Sequence, residues 1–283
     1  MHKFLDFLRS RKWFKSTVTS AVARRLLAIA PQTVAFQLLK RLGPVEVRIR
    51  LAGTKFWIVT SSEDDHYMEA LLRGMRSWES ESLQTWAAIC SRGGTVVDVG
   101  AYGGVYTALA ISSGADRVIA YEPNPAMFDL LQSTVDKNHF GDRVILRNIA
   151  LSDKAGEEVL MVLDSRPSTS GAHLASAVSD PNYEWRRGPL VVSATLDGDL
   201  AGLKVEQLSA MKIDVEGLES KVLTGGMQTI LNNHPVLIVE SLTPEALAAT
   251  VEVASELGYE RLVSTGPRVG VVGEFLPGNF MLT

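Results

Sequence analysis

Apolar residues along the chain change spacing several times. Over residues 3–29, Phe4, Leu8, Phe14, Val18, Val22 and Leu26 recur near one face, with Lys and Arg elsewhere. This spacing predicts a helix, ended by Pro31. A second helix is predicted over 32–42, stopping at Gly43-Pro44. Val45, Val47, Ile49 and Leu51 then alternate with polar residues, and "AGT" turns the chain into Phe56 to Val59. That pattern predicts a hairpin. "SSEDDHYMEALLRG" reads as a capped helix, with Ser61 or Ser62 before the acids and Gly74 at its end. Another helix is predicted near 80–91.

Beyond Gly93-Gly94 the pattern alternates between strand and helix. Strands are predicted near 95–100, 117–122 and 143–148, with helices near 103–113 and 125–138. Two β-rich segments follow, near 157–163 and 189–196. Strands near 210–215 and 235–240 are each followed by a helix, and the last strands lie near 259–264 and 277–283. Strands separated by helices of this length predict an α/β fold with a doubly wound, mostly parallel sheet. Residues 1–75 form an N-terminal extension and 76–283 the main domain. Ligands bind such sheets at the carboxyl ends of strands. Those ends hold Asp98, Glu122, Asn148, Asp214 and Glu240.

Charge adds a second division. Residues 1–50 hold eleven Lys or Arg against two acids, and the remainder seventeen against thirty. A basic arm on an acidic body implies a partner for the arm. An anionic membrane surface met by residues 1–30 is one candidate. Packing on the domain, or on a second copy in a homo-oligomer, is the plainer alternative. No run reaches the roughly 18 uncharged apolar residues of a membrane span. The N-terminus lacks a secretory pattern. The lone Cys90 excludes a disulfide framework and a Cys-based zinc site. These features suggest a cytoplasmic protein, peripheral at the inner membrane face if the arm binds lipid.

The sharpest local signal is "TVVDVGAYGGVYTALA", residues 95–110. A dinucleotide loop needs G-x-G-x-x-G, but positions 100, 102 and 105 hold Gly, Tyr and Val. A P-loop Gly-Lys-Ser/Thr is also absent. Gly100 and Gly104 leave a tight turn for a ligand without a pyrophosphate. Glu122 ends the next strand, where a carboxylate can accept both hydroxyls of a ribose. Acid, glycine turn and second acid suit S-adenosylmethionine, with its amino-acid part over Asp98 and the turn. The structural alternative is that the glycines serve helix–strand packing and Glu122 caps the following helix.

"VVDVGAYGG", "AYEPNP", "NIALSD" and "MKIDVEGLESKVLTGG" together resemble the FkbM-type methyltransferases, over about residues 76–241 plus the terminal "GNFMLT". The first motif is shared by class I methyltransferases generally, and the "KIDVEG" block is far more specific. The resemblance implies a seven-stranded Rossmann-like sheet and S-adenosylmethionine-dependent O-methylation of sugar or polyketide hydroxyls. It implies a cofactor site of Asp98, Gly100, Ala101, Gly104, Glu122, Asn148, Ala150 and Asp214, beside which Tyr102, Thr107 and Pro123 are further candidate contacts. The family usually has Asn where this chain has Tyr102.

A hydroxyl acceptor needs a general base. Lys212, Asp214 and Glu216 are spaced by two and share a face if extended. Asp214 is the first candidate for base or orienter, then Glu216 and the neighbouring Glu240. Such acids could also take Mg²⁺, though no ligand spacing marks a metal site. An ion pair between Lys212 and Glu216 is the structural alternative. His173 lies in the polar stretch 165–188, predicted as a substrate loop, with Tyr183, Trp185, Arg186 and Arg187 as acceptor contacts. Two other functions remain open. A nucleic-acid methyltransferase would use the basic arm, but strand four lacks an Asp/Asn-Pro-Pro-aromatic block. A non-catalytic binding protein of the same fold would rest on Tyr102 alone.

Overall fold

The computed structural model describes residues 18–19, 44–61, 79–164, 172–174, 185–205, 207–265 and 278–283. In chain order, β1 (Val18–Thr19), β2 (Val45–Leu51) and β3 (Thr54–Thr60) form a three-stranded sheet. Helix α1 (Ser80–Cys90) leads into β4 (Thr95–Val99), α2 (Val105–Ser113), β5 (Arg117–Tyr121), α3 (Pro125–Lys137) and β6 (Val144–Arg147). Then come β7 (Ala150–Leu151), β8 (Glu158–Asp164), β9 (Ala172–Leu174) and β10 (Trp185–Ala194). The last part holds α4 (Leu196–Gly202), β11 (Ala210–Ile213), α5 (Glu219–Gly225), α6 (Met227–Asn233), β12 (Val236–Ser241), α7 (Pro244–Glu256), β13 (Leu262–Ser264) and β14 (Gly278–Leu282).

The central sheet has seven strands in the order β13-β14-β12-β11-β4-β5-β6. From β12 to β6 every pairing is parallel, while β14 runs antiparallel to both β12 and β13. Strand residues alternate between two apolar layers, as a sheet covered on both faces requires. Val96, Val118, Ala210 and Ile238 face one core with α1 and α2. Val97, Ile119, Met211, Leu237 and Val239 face the other, against Val222, Leu223, Ile230 and Ala254 of α5, α6 and α7.

The hairpin joins the first of these cores. Val45, Val47, Ile49, Phe56 and Ile58 pack in one cluster with Trp86, Leu109 and Val135. It is also bonded to α3 and the residue after it. The Asn138 side chain accepts the Trp57 N–H at 2.8 Å and donates to the Trp57 carbonyl at 2.7 Å. Thr134 Oγ1 accepts the Val59 N–H at 3.0 Å.

Two expectations change. Within the helix predicted over 3–29, Val18–Thr19 is a strand parallel to β2. Two β-branched residues beside a free strand edge favour the extended form. The rest of that stretch, and the helices predicted at 32–42 and after Ser61, lie outside the described residues. The predicted loop 165–188 is in part strand, because β9 pairs with β8, and β10 begins at Trp185 with a register shift between Arg187 and Leu190. Among the described residues, no helix is long and apolar enough to cross a membrane.

Candidate active site

The carboxyl ends of β4, β5, β11 and β12 open into a cavity of about 310 Å³, a size typical of small-ligand sites. Its wall begins with the glycine turn. The N–H groups of Gly100 and Ala101 both donate to the Tyr121 carbonyl, at 2.9 and 3.0 Å. Gly100 has φ +78, and a Cβ there would lie 1.8 Å from the Asp214 carbonyl oxygen. The turn after β4 therefore touches the end of β11, and only glycine fits. Gly104, with φ +89, starts α2, and its missing Cβ makes room for Leu131 of α3.

Tyr102 is left-handed, with φ +51. Its N–H donates to Glu122 Oε2 at 2.8 Å, while the Asn124 N–H donates to Glu122 Oε1 at 2.8 Å. Two backbone donors thus fix the carboxylate that ends β5. Burial pushes its pKa up to about 7, against these two hydrogen bonds. Each oxygen keeps a lone pair for a ribose hydroxyl. Asn124 separately caps α3 by accepting the Ala126 N–H. Tyr102 lines the cavity and, half-buried, packs against the core. Pro123, Met127, Ile149, Ala150, Leu151 and Met161 add an apolar wall beside Glu122, suited to an adenine.

Asp98 and Thr107 do not line this cavity. Asp98 is 1% exposed, and its Oδ2 accepts the Thr107 hydroxyl at 2.5 Å. Burial raises its pKa to about 6. The pair supports the turn from below, where an amino-acid contact had been expected of Asp98. Asn148 also serves the frame, since its Nδ2 donates to the carbonyls of Glu122 and Pro123 at 2.7 and 3.1 Å.

The other end of the cavity is acidic, lined by Glu79, Asp214, Glu216 and Glu240. Beneath them Lys212 is fully buried, its Nζ 3.1 Å from Asp214 Oδ2 and 4.9 Å from the Tyr106 ring centre. Burial alone would raise the Asp214 pKa, but Lys212 and the hydrogen bond with Glu240 together outweigh it and hold the group below the ordinary range. Glu240 moves up to about 11, first through burial and then through Asp214, with which it shares a hydrogen bond. The pair holds one proton between two carboxyls. Glu216 is raised to about 8 by burial and the charge of Asp214.

Glu216 does not reach the cavity from an extended strand. β11 stops at Ile213, and Glu216 has φ +57 in the turn that follows. Glu219 shapes that turn by accepting the N–H groups of Val215 and Gly217 on Oε1, at 3.3 and 3.0 Å. His173 lies on β9, where its Cα pairs with Val162, and its side chain is outside the described part. Trp185, Arg186 and Arg187 pair with β8 through β10, and Tyr183 falls outside the described residues.

Sequence reasoning missed Glu79 and Tyr106. The Tyr106 hydroxyl donates to Glu79 Oε2 at 2.5 Å. "SWESESL" looks like any acidic helix start, so no local signal marks Glu79 as a cavity residue. Among the described residues, no group of three or more His, Cys, Asp or Glu is placed to hold a metal ion.

Five parallel strands, an antiparallel β14 between β12 and β13, a glycine turn after β4 and a fixed acid after β5 define a class I S-adenosylmethionine-dependent methyltransferase. The chain matches the FkbM methyltransferase domain over residues 98–261, more than half its length, and belongs to that family. Its methyl donor is S-adenosylmethionine. The fold is similar to that of the methyltransferase FkbM from Methylobacillus flagellatus KT, at 16% identity and TM-score 0.44, covering 89% of this chain and 59% of that one. It is similar to an rRNA methylase from Streptococcus thermophilus, at 11% identity and TM-score 0.41, covering 72% and 92%. It is also similar to an O-methyltransferase from Bacillus cereus in complex with SAH, at 14% identity and TM-score 0.39, covering 71% and 78%. Among curated proteins, none matches the chain.

Proposed function

We propose that the protein methylates a hydroxyl of a small-molecule, sugar or glycan, or polyketide-type acceptor. The supporting observation is the carboxylate end of the cavity, where Asp214, Glu216 and Glu240 stand around the buried Lys212. Bound S-adenosylmethionine supplies an electrophilic methyl group on a sulfonium. Glu122 would accept hydrogen bonds from its ribose hydroxyls, the Gly100 turn would admit its chain, and Ile149 and Leu151 would border its base.

The acids divide the remaining work. Asp214 is pinned by Lys212 and kept ionised, so it orients the acceptor hydroxyl by accepting its hydrogen bond. Glu240 keeps its proton and limits the negative charge of the group. Glu216, at about 8, is matched to taking a proton near neutral pH. As the acceptor oxygen bonds to the methyl carbon, the carbon–sulfur bond would break with its electron pair going to sulfur, S-adenosylhomocysteine would leave, and the acceptor's proton would pass to Glu216. Holding these groups in place supplies much of the acceleration.

Methyl-labelled S-adenosylmethionine and a panel of sugar, polyketide and RNA acceptors test this reading. Label is expected on a hydroxyl acceptor, with kcat rising through about pH 8. Glu216→Gln is expected to lower kcat by about 10²–10⁴-fold and to flatten that rise. An unchanged rate and profile would remove Glu216 as base. Label found only on amines or RNA would remove the hydroxyl reading.

A further inference from the structure

The geometry points to Glu79 as the carboxylate that binds the α-ammonium at the amino-acid end of S-adenosylmethionine. Glu79 precedes α1 in a left-handed conformation, with φ +46, and lines the cavity. Its Oε2 is held by two donors, the Tyr106 hydroxyl at 2.5 Å and Asn279 Nδ2 at 3.2 Å. Tyr106 stands in the first turn of α2, directly after the glycine turn. Asn279 lies on β14 opposite Glu240. Three elements therefore aim one carboxylate, and among the described residues no hydrogen bond is made to Oε1, the oxygen offered to a ligand.

The chemistry of the wall selects a cation. Its described lining includes no Lys, Arg or His, and its charged members are Glu79, Glu122, Asp214, Glu216 and Glu240. Glu122 stands at the β5 end and Glu79 beside β12 and β14, so the two lie at opposite ends of the sheet edge. A ligand with a nucleoside at one end and an ammonium at the other matches that polarity. Asp214 is neutralised by Lys212, and Glu240 holds a proton. Asp98 is buried below the turn. The inference rests on the family's methyl donor and is independent of the hydroxyl acceptor.

Calorimetry on the full chain tests it with two ligands. One is S-adenosylhomocysteine. The other is 5′-methylthioadenosine, which keeps the nucleoside and the sulfur but lacks the amino-acid end. Glu79→Gln is nearly isosteric and retains an acceptor for Tyr106. It is expected to weaken S-adenosylhomocysteine about tenfold, the size of one charge-assisted hydrogen bond, and to leave methylthioadenosine unchanged. Tyr106→Phe, which removes one of the two donors that hold the Glu79 carboxylate, is expected to weaken the first ligand by a smaller factor and spare the second. Equal weakening of both ligands by Glu79→Gln would show a structural role and overturn the assignment, as would unchanged binding of S-adenosylhomocysteine. Binding of methylthioadenosine by the wild type reports the nucleoside half separately. A wrong Glu79 is thereby told apart from a wrong cofactor site.

Discussion

At Gly100 a single added carbon decides whether the site can form. Its φ of +78 is already a strained conformation for an L side chain, and a Cβ would overlap the Asp214 carbonyl at 1.8 Å. Gly156 separates the two effects, because it has φ +79 with nothing within 4 Å of its missing Cβ. Gly156→Ala is expected to lose about 1–2 kcal/mol, the left-handed strain alone. Gly100→Ala is expected to lose more and to abolish S-adenosylhomocysteine binding, since the turn must part from β11. Urea midpoints and calorimetry check both, and equal losses with intact binding would refute the packing argument. At this scale the sequence was partly legible. Gly100, Glu122, Asp214 and Glu240 could be placed because strand ends follow from periodicity. Asp98 turns inward to Thr107, a direction that strand-end spacing does not show. Glu79 was invisible because Asn279, which holds it, lies 200 residues away.

Elements were more legible than single residues where their signal was local. The parallel strands are short apolar runs between helices, so β4, β5, β6, β11 and β12 fall where the pattern predicts. Strands made by distant pairing left no such trace. β9 sits in a polar stretch and exists because β8 offers it an edge. The hairpin shows how an element predicted in isolation acquires its place. Its outer strand is tied to α3 through Asn138, which answers both backbone groups of Trp57 and also donates to the Thr134 carbonyl. Asn138→Ala is expected to destabilise the protein by about 1–3 kcal/mol, the penalty for partly buried backbone groups left unpaired. Amide exchange should rise at Trp57 more than at Val118 in the central sheet. Exchange that rises equally at both would mean that the hairpin opens only with the whole domain.

Across the whole molecule, the acidic balance seen in composition has a structural focus. Five carboxyl groups, Glu79, Asp98, Asp214, Glu216 and Glu240, feel Lys212, the one buried cation among the described residues, whose charge draws each pKa down against burial; only Asp214 ends below its ordinary value. Burial alone would drive the Lys212 pKa down, but Asp214, Glu240 and Glu79 more than reverse this and keep it charged. Composition gives the net charge of −4 but not this arrangement, which needs strands from both halves of the sheet. Lys212→Met retains most of the buried volume and removes the charge. The folded pKa values of the surrounding carboxyls then rise, that of Asp214 from below its unfolded value of 3.8 and those of the others further above 3.8 and 4.5. A carboxyl raised in this way is stabilising below its unfolded pKa, and that stability is lost as pH climbs towards its folded pKa. The variant is therefore expected to lie close to wild type near pH 5. By pH 9 it should fall about 3–5 kcal/mol below, the usual penalty for stripping the partner from a buried charge. Urea unfolding at a series of pH values measures the gap. A gap that stays constant would mean that Lys212 contributes packing alone, and one that narrows towards pH 9 would contradict its role as the counter-charge of the site.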